Sequence, residues 1–222
     1  MRIVDLSHPI VSGMQVFPGD PEVTLTVAAD IAADGFQVTE VHAGTHTGTH
    51  LDAPLHTVEG GASVDQIDLH RLVGTARLVR LPMVEPGHVF VWDDVESQLS
   101  DLGPVAMVLF QTGWSEHFGT ELYLRHPAFD AEIAVGLLDR GISVVGVDTL
   151  NPDLTDLTGG EVELPFHREL LGADGVIIEN LTNLASVDWT DPLVSVLPLP
   201  FLGMDGSPVR AVAMEQNTLA NE

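Results

Sequence analysis

Hydrophobic positions fall into short blocks separated by turn residues, and most of the blocks carry the period of a strand. Val23, Leu25 and Val27 alternate with Thr24 and Thr26, which reads as a strand. The stretch from Val38 to Ala43 is rich in β-branched residues and continues in that style. Further strands are expected over 76–81, 88–92, 105–110, 142–147, 176–179 and 193–197. Several of these are unbroken apolar runs, the pattern of strands covered on both faces. Helical periodicity is rarer. Asp130 is placed to cap a helix over 131–140, with Ile133, Ala134, Leu137 and Leu138 on one face and Gly141 as its stop. Asp93 or Asp94 is placed to cap a short helix running through Ser97 to Ser100, and 165–171, closed by Gly172, makes a third. Many strands with scattered helices give an α/β class. No repeat or linker-like stretch divides the chain, so residues 1–222 read as a single domain.

Charge narrows the function. Asp and Glu total 33 against 8 basic residues, a formal charge of −25, and every basic residue is Arg. Phosphate neutralisation needs Lys or Arg, so nucleic acid is excluded as a partner, and an anionic membrane surface is disfavoured for the same reason. Without Lys there is no Schiff-base chemistry and no P-loop. Without Cys there are no disulfides, Cys nucleophiles or iron–sulfur clusters. No apolar run nears the ~20 residues of a membrane helix, and Asp5 stands where a signal peptide's apolar stretch would begin. A cytoplasmic protein is the expectation.

The candidate chemistry lies in one segment. From His42 to His56 there are four His and one Asp: His42, His46, His50, Asp52 and His56. Neutral imidazoles and carboxylates are the usual ligands of catalytic Zn or Mn. His46 and His50 are four apart, but Thr47, Gly48 and Thr49 between them are poor helix formers. On a straight strand four residues span about 13 Å, too far for one metal. The segment must therefore bend, and Gly48 is where it can. Asp52 adds a carboxylate two residues on. Pro54 separates His56 from the cluster and leaves it near a metal but free to move protons. His42 keeps the four-residue rhythm without a comparable claim. The remaining His8, His70, His88, His117 and His126 lack clustered partners and read as surface or core residues.

A second pairing joins His167, at the start of a helix, to Glu179, which ends a strongly apolar run. A charge there needs a partner. A metal is one such partner, and a satisfied core acid is the equal alternative. Asp148 and Thr149 follow an apolar strand, either lining the site or forming a strand-end turn.

The segment His46-Thr-Gly-Thr-His50-Leu-Asp52-Ala-Pro-Leu-His56 resembles the signature of the metal-dependent hydrolase "cyclase" family, which includes bacterial kynurenine formamidase and isatin hydrolase. The likeness continues in Asp5-Leu-Ser-His-Pro9, Phe17-Pro-Gly-Asp-Pro21, Thr112-Gly-Trp114, Gly146-Val-Asp-Thr149 and Asp205-Gly-Ser-Pro-Val-Arg210. It implies a mixed, partly barrel-like β-sheet core with a few flanking helices, assembled as a homodimer or homotetramer. It also implies that His46, His50 and Asp52 hold a first divalent ion. Asp52 would bridge to a second, held also by His167 and Glu179, giving one or two ions per chain. Three departures bear on the substrate: Arg168 where bacterial kynurenine formamidases tend to carry His, Gln111 where a basic residue is common, and the stretch Glu179-Asn-Leu-Thr-Asn-Leu184.

The expected reaction is hydrolysis of an amide C–N bond in a small aromatic substrate by metal-activated water, with His56 as general base and then acid. The resemblance points to arylformamidase chemistry, N-formylkynurenine to kynurenine plus formate. Opening of a cyclic amide, imide or lactone is the runner-up. A structural metal-binding scaffold is the non-enzyme alternative. Phe17 and Trp114 are the aromatic candidates for the pocket wall.

Overall fold

The unbroken apolar runs become the centre of a mixed sheet. The computed structural model describes residues 1–160 and 162–216; residues 161 and 217–222 of the span read as one domain lie outside the described residues. Strands β5 (Val73–Arg80), β7 (Met107–Gln111), β9 (Val144–Val147) and β10 (Val176–Glu179) lie side by side and parallel. Antiparallel strands extend both flanks. On one side come β11 (Leu193–Ser195), β13 (Val212–Met214) and β1 (Ile3–Asp5); on the other come β4 (His50–Asp52) and β12 (Gly206–Pro208). Beyond β1, Ser7 bridges to Leu181, just past β10, and Thr182 donates to the Leu6 carbonyl at 2.9 Å. A strand from one edge thus bonds to residues near the other, which curls the sheet into the expected partly barrel-like form. The result is a single α/β domain.

The period of two sends alternate residues of each central strand to different cores. Along β7, Met107 and Leu109 enter the concave core with Leu6 and Leu51, while Val108 and Phe110 enter the convex one. The convex core is roofed by α2 (Trp92–Leu99), α3 (Ala131–Leu138) and α4 (Pro165–Gly172). Gly146 faces the concave side, where a Cβ would come 2.5 Å from Leu109 Cδ2 and 2.7 Å from Leu181 Cδ1. Only glycine lets the sheet close that tightly, since overpacking such a site costs about 1–3 kcal/mol.

Asp130 caps α3 through the Glu132 N–H, and Gly141 takes the left-handed conformation at φ 78°. The start of α2 differs from expectation. Val91 is the N-cap, and Asp94 sits inside the first turn, where its carboxylate accepts the Val91 N–H at 2.9 Å. Short strands β6 (Val89–Phe90) and β8 (Ala128–Phe129) pair at the periphery. A separate hairpin joins β2 (Thr24–Ala29) to β3 (Val38–His42) through the four-residue helix α1 (Ile31–Asp34). His42 is exposed on that hairpin, opposite Thr24. No helix among the described residues is long and apolar enough to cross a membrane.

Candidate active site

Strand β4 brings the contiguous segment to the sheet. It lies between β10 and β12, with His50 opposite Glu179 and Asp52 opposite Gly206. His50 and Asp52, two apart, project to one face, while Leu51 enters the concave core. Upstream, Gly48 turns the chain at φ 61°, as the spacing requires, and returns His46 toward Asp52. Helix α4 supplies His167 from its first turn, on the side that buries Phe166, Leu170 and Leu171. Its start is capped by Asp153, which accepts the backbone N–H groups of Phe166 at 2.8 Å and His167 at 3.2 Å.

These side chains converge on one volume. Asp52 Oδ1 lies 2.7 Å from His46 Nδ1 and 3.2 Å from His50 Nε2, and Oδ2 lies 3.6 Å from His167 Nε2. Glu179 faces His50 Nε2 at 3.3 Å and His167 Nε2 at 3.2 Å. The outer nitrogens are already committed. His50 Nδ1 donates to the Gly48 carbonyl at 2.8 Å, and His167 Nδ1 donates to Asp153 at 2.6 Å. Each neutral ring therefore aims the lone pair of Nε2 at carboxylate oxygens, a repulsive arrangement unless a cation lies between. His50 Nε2, Asp52 Oδ2 and Glu179 Oε1 are buried with no hydrogen-bond partner. Orphaned acceptors around one point, with the histidines oriented from behind by a carbonyl and a carboxylate, fit a divalent metal ion.

Three sets of donor atoms each fall within 4.8 Å: His46, His50 and Asp52; Asp52, His56 and His167; and His46, His56 and Asp205. Asp52 belongs to two of them, the geometry a bridging carboxylate needs. Without an ion, protons take its place. Burial alone would depress both rings, yet Asp52 overrides it at His46, pushed up to about 9, and at His50, pushed up to about 10. His167 is likewise raised by Asp153, Asp52 and Glu179 against its burial. Asp52 is held well below the carboxylate range by His50 and His46, although burial opposes this.

His56 stands at the end of the 3₁₀ turn Pro54–His56, its ring 4.1 Å from that of His46 and its Nδ1 3.5 Å from Asp205. Asp205 has no place in the spacing argument. It lies far along the chain and reaches the site because its neighbour Gly206 pairs with Asp52. It accepts from His46 Nε2 at 2.9 Å and from Thr45 Oγ1 at 3.1 Å, and the bond with His46 holds its carboxyl low. Gly206 is required here, since a Cβ would lie 2.7 Å from His46 Cε1. Asp153, behind His167, is the other residue that spacing does not reveal.

A cavity of about 170 Å³ opens over these groups. Val16, Phe17, Leu150, Val162 and Leu164 form its apolar wall, and Gln15, Asp20, Asn151 and Asn180 its other polar lining. Phe17 is at the wall as expected. Trp114 is not: its ring is buried against Tyr123 and Leu150, and its Nε1 donates to the Tyr123 carbonyl at 3.2 Å. An indole whose N–H finds a backbone partner is stable in a core, so Trp114 supports Leu150 from behind. Asp148 takes the turn role, accepting from the Thr112 and Gly113 N–H groups and the Thr112 hydroxyl. Burial pushes its carboxyl up to about 6. Thr149 is buried and bonds the Asn151 carbonyl.

A family model described as a putative cyclase matches residues 4–154, a span that holds the whole His46–His56 segment. The chain belongs to the cyclase family. Among the relatives of the chain, the kynurenine formamidase of Salinibacter ruber is 33% identical over 96% of this chain and 97% of its own. Isatin hydrolase A from Labrenzia aggregata, bound to benzyl benzoate, superposes with a TM-score of 0.84 at 25% identity, covering 97% of this chain and 94% of that one. A potential metal-dependent hydrolase with cyclase activity superposes at 0.78 with 30% identity, covering 97% and 98%.

Proposed function

We propose that this cyclase-family protein is a metal-dependent hydrolase that cleaves the amide C–N bond of a small aromatic substrate, most like an arylformamidase acting on N-formylkynurenine. The observation that carries the reading is the set of orphaned buried acceptors of His50, Asp52 and Glu179, with His50, Glu179 and His56 lining an apolar cavity. His46, His50 and Asp52 would hold one ion, Zn or Mn, and Asp52, His167 and Glu179 a second. A bound ion supplies Lewis acidity, lowering the pKa of water from 15.7 toward ~7 and polarising a carbonyl. His56 takes the proton from the attacking water and returns it to the leaving nitrogen as the C–N bond breaks, yielding the amine and formate. Asp205 orients the His56 ring. The apolar wall takes the arene; an apolar cavity of ~150 Å³ is large enough for benzene.

Opening of a cyclic amide, imide or lactone uses the same attack and proton path, and the superposition on isatin hydrolase A supports it as the second reading. The scaffold reading requires a closed set of four protein ligands. The test is metal per chain by elemental analysis, followed by rates on N-formylkynurenine and isatin. One or two equivalents of Zn or Mn with C–N cleavage is the expected result. No metal after reconstitution would overturn the reading.

The hairpin points to how the protein assembles. Leu25, Val27 and Val41 share one face of β2 and β3, and Val27 and Val41 are about 60% exposed. Ile31 and Phe36 at the tip are exposed as well. Apolar side chains on a projecting ribbon suit a second copy of the chain. Sedimentation is expected to give a mass of two or four chains, and Val27→Asp with Val41→Asp should dissociate the assembly. A monomeric wild type would refute this.

A further inference from the structure

The mechanism leaves one cavity-lining acid unused. Asp20 lines the wall beside Phe17, half-buried, and no hydrogen bond or ion pair within 4 Å engages its side chain among the described residues. Burial raises its carboxyl, and the neighbouring His46, His50 and His56 lower it in part.

The chain's own cations are placed elsewhere. There is no Lys. Arg2 pairs with Glu215 and Asp188, Arg71 with Asp174, Arg77 with Asp191 and Arg210 with Asp5. Arg80 bonds the Val187 carbonyl, and Arg140 lies over the Trp92 ring. Arg125 and Arg168 are exposed and line no part of the cavity. The remaining acids at the site, Asp52, Asp153, Glu179 and Asp205, already face histidines. With Asp20 they are five, so either one divalent ion or two leave negative charge in excess. In neither case does a fixed cation face the apolar wall.

A half-buried carboxylate without a counter-ion favours a ligand that brings a cation or an N–H donor and opposes one that brings a second carboxylate. We propose that Asp20 selects substrate by charge: the cavity takes aryl amides whose far end is neutral or cationic, and discriminates against those carrying a carboxylate into it. The inference rests on the amide-hydrolase reading and narrows its substrate class. A zwitterion such as N-formylkynurenine would turn its ammonium toward Asp20 and its carboxylate to solvent.

Three para-substituted formanilides of similar size test this on the metal-loaded protein: 4-formamidobenzoate, 4-formamidobenzamide and 4-(aminomethyl)formanilide. The anion is expected to show at least about tenfold lower kcat/KM than the amide, mainly through KM, with the cation equal to the amide or better. Asp20→Asn, which keeps the side chain's volume, should collapse that spread while leaving metal content unchanged. Binding of the same compounds to His56→Ala, measured by titration calorimetry, reads the selection without turnover. Equal treatment of anion and amide, or an unaltered spread in Asp20→Asn, would overturn the proposal. If none is cleaved but binding keeps the order, the hydrolase reading falls and the charge selection stands.

Discussion

Asp52→Asn is expected to leave the protein folded and strip it of metal. Elemental analysis should find less than about a tenth of the wild-type ion content at matched free metal, because Asp52 belongs to two of the three candidate donor sets and its loss weakens both. Asp52 is fully buried, and its two oxygens between them face His46, His50 and His167. No other side chain among the described residues pairs with all three. Asn keeps the shape but replaces one acceptor with an N–H₂ group and removes the charge. In the metal-free protein that charge also holds the protons on His46 and His50, so the variant should release them at lower pH, visible as a downfield-to-neutral shift of their imidazole resonances by NMR. Full metal content in Asp52→Asn would place the ion elsewhere and end the assignment of this cluster.

This cluster was legible because three of its members sit within seven residues. The alternation of His50 and Asp52, and the need for a bend at Gly48, follow from backbone geometry alone, and the structure shows both. Central strands were legible for a similar reason: 176–178 is a solid apolar run closed by Glu179, and β10 covers those residues. Strand β4 was not. Its three residues follow Thr and Gly and precede Pro54, and only pairing with β10 and β12 holds them extended. The same limit hid the role of Asp205, which the sequence showed only at the head of a family-like segment, and hid Asp153 altogether. Each acts through a contact made across the fold, with His46 and His56 in one case and His167 in the other. No local period records such a meeting. Trp114 shows the opposite failure. A large aromatic beside Gly113 suits a pocket wall or a core equally well, and only the Tyr123 carbonyl at its N–H decides for the core. The cap of α2 turned on one residue: Asp94 serves the backbone from inside the first turn, so the helix begins two residues before it.

His56→Ala should separate proton transfer from metal binding. Its ring is within donor distance of two candidate ligand sets, so geometry alone permits a ligand as well as a base. Other features favour the base. Its side chain is 28% exposed, whereas those of His50 and His167 are 3% exposed. A base must meet solvent and substrate, while a ligand need not. Its Nδ1 faces Asp205, which leaves Nε2 free for a substrate proton, the same division of labour that orients His167 through Asp153. The variant is expected to keep its metal, bind substrate with little change and lose about 10²- to 10⁴-fold in kcat. Removing a proton shuttle lowers kcat and kcat/KM together, because the interaction is made only in the transition state. Added imidazole should restore part of the rate, since the truncated side chain leaves room for it beside Asp205. Loss of metal from His56→Ala would instead make His56 a ligand, close the site with protein donors and favour the structural scaffold over the enzyme.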